Sequence, residues 1–397
     1  MSGSLHTLSP DPKPAVAERL ALWNLGFRPF YLLASAFASL SILAWAAQYT
    51  GLLPMAYVQG PGWHGHEMLV GFATAVIAGF LLTAVPNWTG QPTPKGGALA
   101  ALALLWLSGR VLVMTPFATA AMLANAAFPV AIAVSIAIPL WRSDNRRNYF
   151  FVVLLTAMGG VILAVHLALG GAIVFPARAG LMVGLDLVLF VMAVVGGRVI
   201  PMFTNNGVPG AGATRLPLVE KVALGSLLAL LAADVFRIGP VAPIILGIAA
   251  AAHLARLLFW HPWRTLGNPL VWILHAAYAW IVVHLVLRML AALGLVPESV
   301  AIHALTIGAI GGLTLGMMTR TARGHTGRAL KADRFEVAAF VLVQLAALAR
   351  VLGALFAPGA YAESVALSSL LWSAAYGIYA VRYWPILTRS RLDGKPG

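Results

Sequence analysis

A chain of 397 residues that is 60% hydrophobic and only 10% charged falls far outside the composition of soluble domains, and it reads as a polytopic membrane protein. The absence of cysteine excludes disulfides, iron–sulfur clusters, thiolate-bound copper and covalently attached c-type haem, so any haem must be held non-covalently. The formal charge of +14 does not indicate nucleic acid, because the basic residues are dispersed at helix ends and form no basic face interleaved with aromatics.

The first stretch, about 28 residues, is polar and contains proline; no short apolar segment with a small-residue cleavage site precedes the first long one, so no cleaved signal peptide is expected. Apolar runs then predict an all-α protein of twelve transmembrane spans at 30–48, 67–86, 98–115, 119–140, 149–170, 179–200, 217–235, 240–259, 269–292, 300–318, 335–355 and 363–384. The implied organisation is a cytoplasmic segment 1–29, a single transmembrane domain 30–385 and a cytoplasmic tail 386–397. With the N terminus inside, every basic residue except Arg110, Arg178, Arg237, Arg288 and Arg350 falls on the cytoplasmic side, so the positive-inside rule predicts both termini in the cytoplasm.

Span 1 opens with FRPFYLL, where Arg28 and the aromatics read as an interfacial anchor. Span 2 follows WHGHE, so His64, His66 and Glu67 enter the membrane at its outer mouth, and it closes with the Pro/Gly turn PNWTG. Imidazoles at a membrane edge serve as metal or haem ligands, as proton carriers, or as polar groups satisfied by a neighbouring helix. Spans 3 and 4 read as scaffold, and WRSDNRRNYF as a charged loop.

Span 5 carries AVHLAL with His166 and span 9 carries VVHLVL with His284; these similar contexts suggest an internal repeat. Span 6 contains Asp186 and ends GGRVIPMFTNNG, while span 10 starts at His303 and ends GMMTRTARGHTG. Spans 2, 6 and 10 thus run inward and close in similar Thr/Asn/Gly turns, which divides the chain into three four-helix pseudo-repeats. His64, His66, His166, His284 and His303 fall at one depth near the outer leaflet with Asp186. Imidazoles projecting inward from facing helices are how bundles build transition-metal and haem sites. The remaining histidines point elsewhere: His6 is in the polar leader, His253, His261 and His325 suit surface or turn roles, and His275 is on the face of its helix opposite His284. Met317 and Met318 end span 10 far from His303 and read as packing residues.

The segments WHGHEMLVGFATAVIAGFLLTAVPNWTG, GGRVIPMFTNNG and HALTIGAIGGLTLGMMTRTARGHTGR resemble the signature segments of the NnrS family, and the resemblance covers nearly the whole chain. It implies a bacterial inner-membrane protein containing haem and copper, associated with nitric oxide metabolism and protection from nitrosative stress. Three four-helix units with histidines on spans 2 and 10 are also similar to the catalytic subunits of haem–copper oxidases and nitric oxide reductases. The chain lacks their second histidine on span 10 and their cluster on spans 6 and 7, so one b-type haem with a separately built copper site fits better.

The expected activity is reduction of nitric oxide to nitrous oxide, with electrons from the periplasm or the quinone pool. Haem-based binding or sensing of nitric oxide without turnover is one alternative, and secondary transport of a metal or haem is another. His66 and His303 are the expected axial pair of the haem, with Arg110 and Arg350 as partners of its propionates. His64, His166 and His284 are the expected copper ligands, with Glu67 and Asp186 as proton-relaying acids. A helix running through both His64 and His66 would make them diverge by about 200°, and their roles could be exchanged.

Overall fold

The computed structural model describes residues 20–49, 52–53, 57–58 and 60–395. The leader histidine His6 lies outside these residues. Among the described residues the chain is helical without strands, and twelve helices account for the twelve expected spans. They are α1 Phe27–Tyr49, α2 Gly60–Thr89, α3 Gly96–Leu112, α4 Ala118–Arg142, α5 Phe150–Leu169 and α6 Ala177–Gly207. The second half comprises α7 Pro217–Val235, α8 Ala242–Phe259, α9 Pro269–Ala292, α10 Glu298–His325, α11 Arg334–Phe356 and α12 Tyr361–Thr388.

Ten of the twelve are long and apolar enough to cross a bilayer, as a hydrocarbon core about 30 Å thick requires. The exceptions have visible causes: α3 has 17 residues, and α7 carries Glu220, Lys221 and Asp234. The protein is a multi-pass membrane protein.

Short connections make successive helices antiparallel, and the packing follows the four-helix periodicity of the sequence. The last helix of each unit packs against the first of the next, α4 on α5 and α8 on α9, and α12 closes the ring on α1. The most enclosed spans are α2, 78% of whose apolar window is buried, α6 with 72%, and α9 and α10 with 67% each, against 39–44% for the other spanning helices. These four form the interior and carry most of the polar side chains singled out above.

Two details of sequence register decide where those side chains point. α2 starts seven residues before the apolar run, at Gly60, so His64 and His66 both lie within the helix. Directly after His66 the helix loosens to a π-helical segment, Glu67–Ala73, and α10 does the same directly after His303, over Ala304–Gly311. π-helical turns are uncommon and cluster at functional sites.

Arg28 is not an interfacial anchor. It is fully buried, and its guanidinium donates to the carbonyls of Leu387 and Arg389 at 2.9 and 2.8 Å. Those carbonyls end α12 and have no partner within the helix, so Arg28 fastens the two ends of the ring together.

Candidate metal centre at the histidine end

The bundle end where α2 begins gathers the polar residues of α2, α5, α9 and α10 into two histidine pairs. In the first, His66 on α2 and His166 on α5 face one another Nε2 to Nε2 at 3.0 Å, with their rings perpendicular. Both are buried, and both have their other nitrogen occupied: His66 Nδ1 lies 2.7 Å from Glu67 Oε1, and His166 Nδ1 lies 3.0 Å from the Tyr57 hydroxyl. Glu67 is anchored in turn by the Arg110 guanidinium at 3.4 Å, and Arg110 donates to Asn125 Oδ1. Gly71 makes this possible, because a Cβ there would come within 2.5 Å of Arg110 Nη1 and 2.6 Å of Phe37.

The second pair is His64 with His303, whose ring planes are 11° apart with centroids separated by 6.4 Å. Trp45 lies against the other side of His64, 5.4 Å between centroids. His303 Nδ1–H donates to the carbonyl of Ser299 at 2.6 Å, one turn back on α10. His284 on α9 does the equivalent to Ala301 O at 2.8 Å, and its buried Nε2 has no hydrogen-bond partner.

A sequence model described as NnrS protein matches residues 21–391. The chain belongs to the NnrS family. None of the curated proteins compared matches it. Membership connects this NnrS-family chain with nitric oxide metabolism or response, and with metal and haem binding in general.

The side chains fit such groups. A metal-bound histidine characteristically gives its other N–H to a carboxylate, a carbonyl or another polar group, which fixes the tautomer and turns the free lone pair toward the metal. His66, His284 and His303 have that arrangement, each offering Nε2, and His166 joins them once its Nδ1–H donates to the Tyr57 oxygen. Among the described residues no three histidine, aspartate or glutamate side chains gather into a metal-enclosing group, so the protein supplies imidazoles in pairs.

The pairing differs from the expected one. His66 was expected opposite His303 but meets His166, and His64 meets His303. His64, His166 and His284 are not brought together as a triad. The cause is the helical phase: with α2 continuous through both residues, their rings leave opposite sides of the helix, one toward α5 and the other toward α1 and α10.

The two acids stand in different surroundings. Glu67 belongs to the His66 network, whereas Asp186 on α6 is buried and accepts from Arg288 on α9 at 2.6 Å; Arg288 also donates to Asp234 of α7. The two expected propionate partners also have protein partners. Arg110 is held by Glu67 and Asn125, while Arg350 donates to the Tyr361 hydroxyl at 2.7 Å and lies over its ring. Each retains a buried Nη1 without a hydrogen bond, so one nitrogen of each guanidinium remains able to hold an anion.

Tyr57, Asn125, Asp234, Arg288 and Tyr361 were not foreseen. Arg288 had a sequence signal, since it follows His284 by one helical turn and sits in an apolar run. Tyr57 had none, being a single loop tyrosine. At the other end of the bundle, His253 is fully buried rather than in a surface or turn role. Its Nδ1 lies 2.7 Å from the Tyr278 hydroxyl, and Arg256, held bidentately by Glu220 at 2.9 Å, donates to the same hydroxyl at 2.8 Å. A buried arginine needs both partners, and they draw His253 inside. His261 does occupy a turn, with φ of 54°, and His275 pairs with Thr204 Oγ1 at 2.8 Å, away from His284.

Proposed function

We propose that this protein is a haem- and copper-containing membrane enzyme that reduces nitric oxide to nitrous oxide and so protects against nitrosative stress. The observation that carries the reading is the His66–His166 contact, two buried Nε2 atoms converging at 3.0 Å with both Nδ1 atoms partnered. Two ligand nitrogens on one small ion lie about 3 Å apart when each bond is about 2 Å. Copper accepts imidazole readily, and no thiol competes for it.

His66 and His166 would hold the copper, with Glu67 and Tyr57 fixing their orientation and His284 as a further imidazole for the metal layer. His64 and His303 would hold a b-type haem. Imidazoles on opposite sides of one ion, with bonds of about 2 Å, have ring centroids about 6 Å apart, close to the observed 6.4 Å. The free Nη1 atoms of Arg110 and Arg350 would take its propionates. When bound, the two metals supply one-electron redox chemistry, and the overall reaction joins two nitric oxide molecules with two electrons and two protons to give nitrous oxide and water.

The chain itself contributes orientation and access. Nitric oxide is small and neutral, so it reaches the buried layer through lipid without a polar channel. Protons need carriers: Glu67 is the acid beside the histidines, and Asp186 the acid on α6. The dispersion of basic residues supports placement in the bacterial inner membrane with both termini cytoplasmic and the histidine end toward the periplasm. Electrons would arrive from that side or from the quinone pool.

The test is an optical spectrum and metal analysis of the purified protein, repeated after adding nitric oxide, with nitrous oxide measured in the headspace under a reductant. A Soret band, copper, a spectral response to nitric oxide and nitrous oxide above a protein-free control are expected. A protein free of haem and copper, or one that binds nitric oxide and releases no nitrous oxide, would overturn the enzyme reading.

A further inference from the structure

Between α2, α5 and α6, inward of the His66–His166 pair, lies a cavity of about 20 Å³. Its wall includes Thr74, Leu81, Leu155, Met158, Leu187 and Val188, and Thr74 is the one polar residue among the ten that line it. The Thr74 hydroxyl already donates to the carbonyl of Val70. A space of about 10–15 Å³ suffices for one water-sized particle, but a water needs two or more polar partners, and dry apolar cavities instead take up xenon or apolar molecules.

The position of the cavity is as telling as its lining. Met158 precedes His166 by eight residues on α5, about 12 Å along the axis, and Thr74 begins the regular helix after the π-helical segment next to His66. The intervening side chains are buried and apolar: Leu69, Ile162 and Met158 itself. Opposite them, Gly184 has no side chain, and the space is taken by Leu69 and Met158; a Cβ at Gly184 would lie 2.6 Å from Leu69 Cδ2 and 3.7 Å from the Met158 sulfur. Met158 is unbranched with three rotatable bonds, which lets it shift where a β-branched residue would block.

We propose that this cavity is a docking site for a small apolar gas, from which nitric oxide passes Leu69 and Met158 to the His66–His166 pair. The identity of the gas rests on the function proposed above; the site itself does not.

The experiment is xenon pressurisation of crystals of the full chain, read by anomalous scattering, alongside the rate of nitric oxide association with the metal-loaded protein. A xenon peak among Leu155, Met158 and Val188 is expected. Leu155→Phe, which fills the space, should remove the peak and slow association about tenfold at unchanged haem and copper content. Leu155→Ala, which enlarges the space, should raise xenon occupancy, and it serves if the Phe variant does not fold. No xenon in the unaltered protein would overturn the site whatever nitric oxide does, and an unchanged association rate with the cavity filled would overturn its place on the route. Xenon in the cavity of a protein that gives no response to nitric oxide would keep the gas site and overturn the functional reading.

Discussion

His66 and Glu67 are neighbours in sequence and partners in space, His66 Nδ1 lying 2.7 Å from Glu67 Oε1, with Arg110 on the far oxygen at 3.4 Å. This arrangement fixes the tautomer that turns His66 Nε2 toward His166. Glu67→Gln should therefore lower copper affinity by about 10–100-fold with both imidazoles intact. Copper titration of the variant checks this, and unaltered affinity would mean that Glu67 does not orient the ligand.

The two histidine pairs should be separable. His303→Ala is expected to remove or broaden the Soret band while copper is retained, and His166→Ala to lose copper while the Soret band persists. Haem and copper are assayed separately on each purified variant. Loss of both metals from both variants would show a single joint site instead.

The Asp186–Arg288–Asp234 cluster gives a graded prediction for stability. Arg288→Met leaves two carboxylates without their cation and should cost about 3–5 kcal/mol, as breaking a buried pair does. Asp186→Asn leaves Arg288 paired with Asp234 and should cost about 1–3 kcal/mol. Thermal unfolding of the two variants in one detergent gives the order, and a reversed order would contradict the shared bridge.

Glycine positions can be compared directly. A Cβ at Gly197 would lie 1.6 Å from Arg256 Nη2, so Gly197→Ala must push that guanidinium off Glu220 and Tyr278 and should lower stability by roughly 3 kcal/mol. Gly225 has nothing within 4 Å of the same position, and Gly225→Ala should be neutral or stabilising by up to about 1 kcal/mol. The pair is read from melting temperatures measured side by side.

At the end opposite the histidines, Asp333 accepts from the backbone N–H of Phe335 and Glu336 at 2.9 and 3.2 Å, while Glu336 accepts from Asp333 N at 2.8 Å. This reciprocal cap starts α11, and Asp333→Ala should cost about 1 kcal/mol. Asp333→Asn should recover most of that loss in the same unfolding assay.

The sequence by itself determined the twelve helices and the depth of the histidine layer. Both are one-dimensional quantities: apolar run length sets a span, and position along a helix sets height in the membrane. It also showed the four-helix periodicity, because His166 and His284 recur in like contexts on the first helix of consecutive units. Which imidazoles meet was decided by the tertiary structure. Partnering depends on rotation about each helix axis, and every residue added at an end or absorbed in a π-helical turn rotates the rest of the helix by about 100°. The extension of α2 back to Gly60 and the loosened turns after His66 and His303 therefore selected His66 with His166 and His64 with His303. Burial of Arg28 and His253 was likewise a matter of partners, the carbonyls at the end of α12 in one case and the Arg256–Tyr278 pair in the other. Both sets of partners are distant in sequence and leave no periodic trace in it.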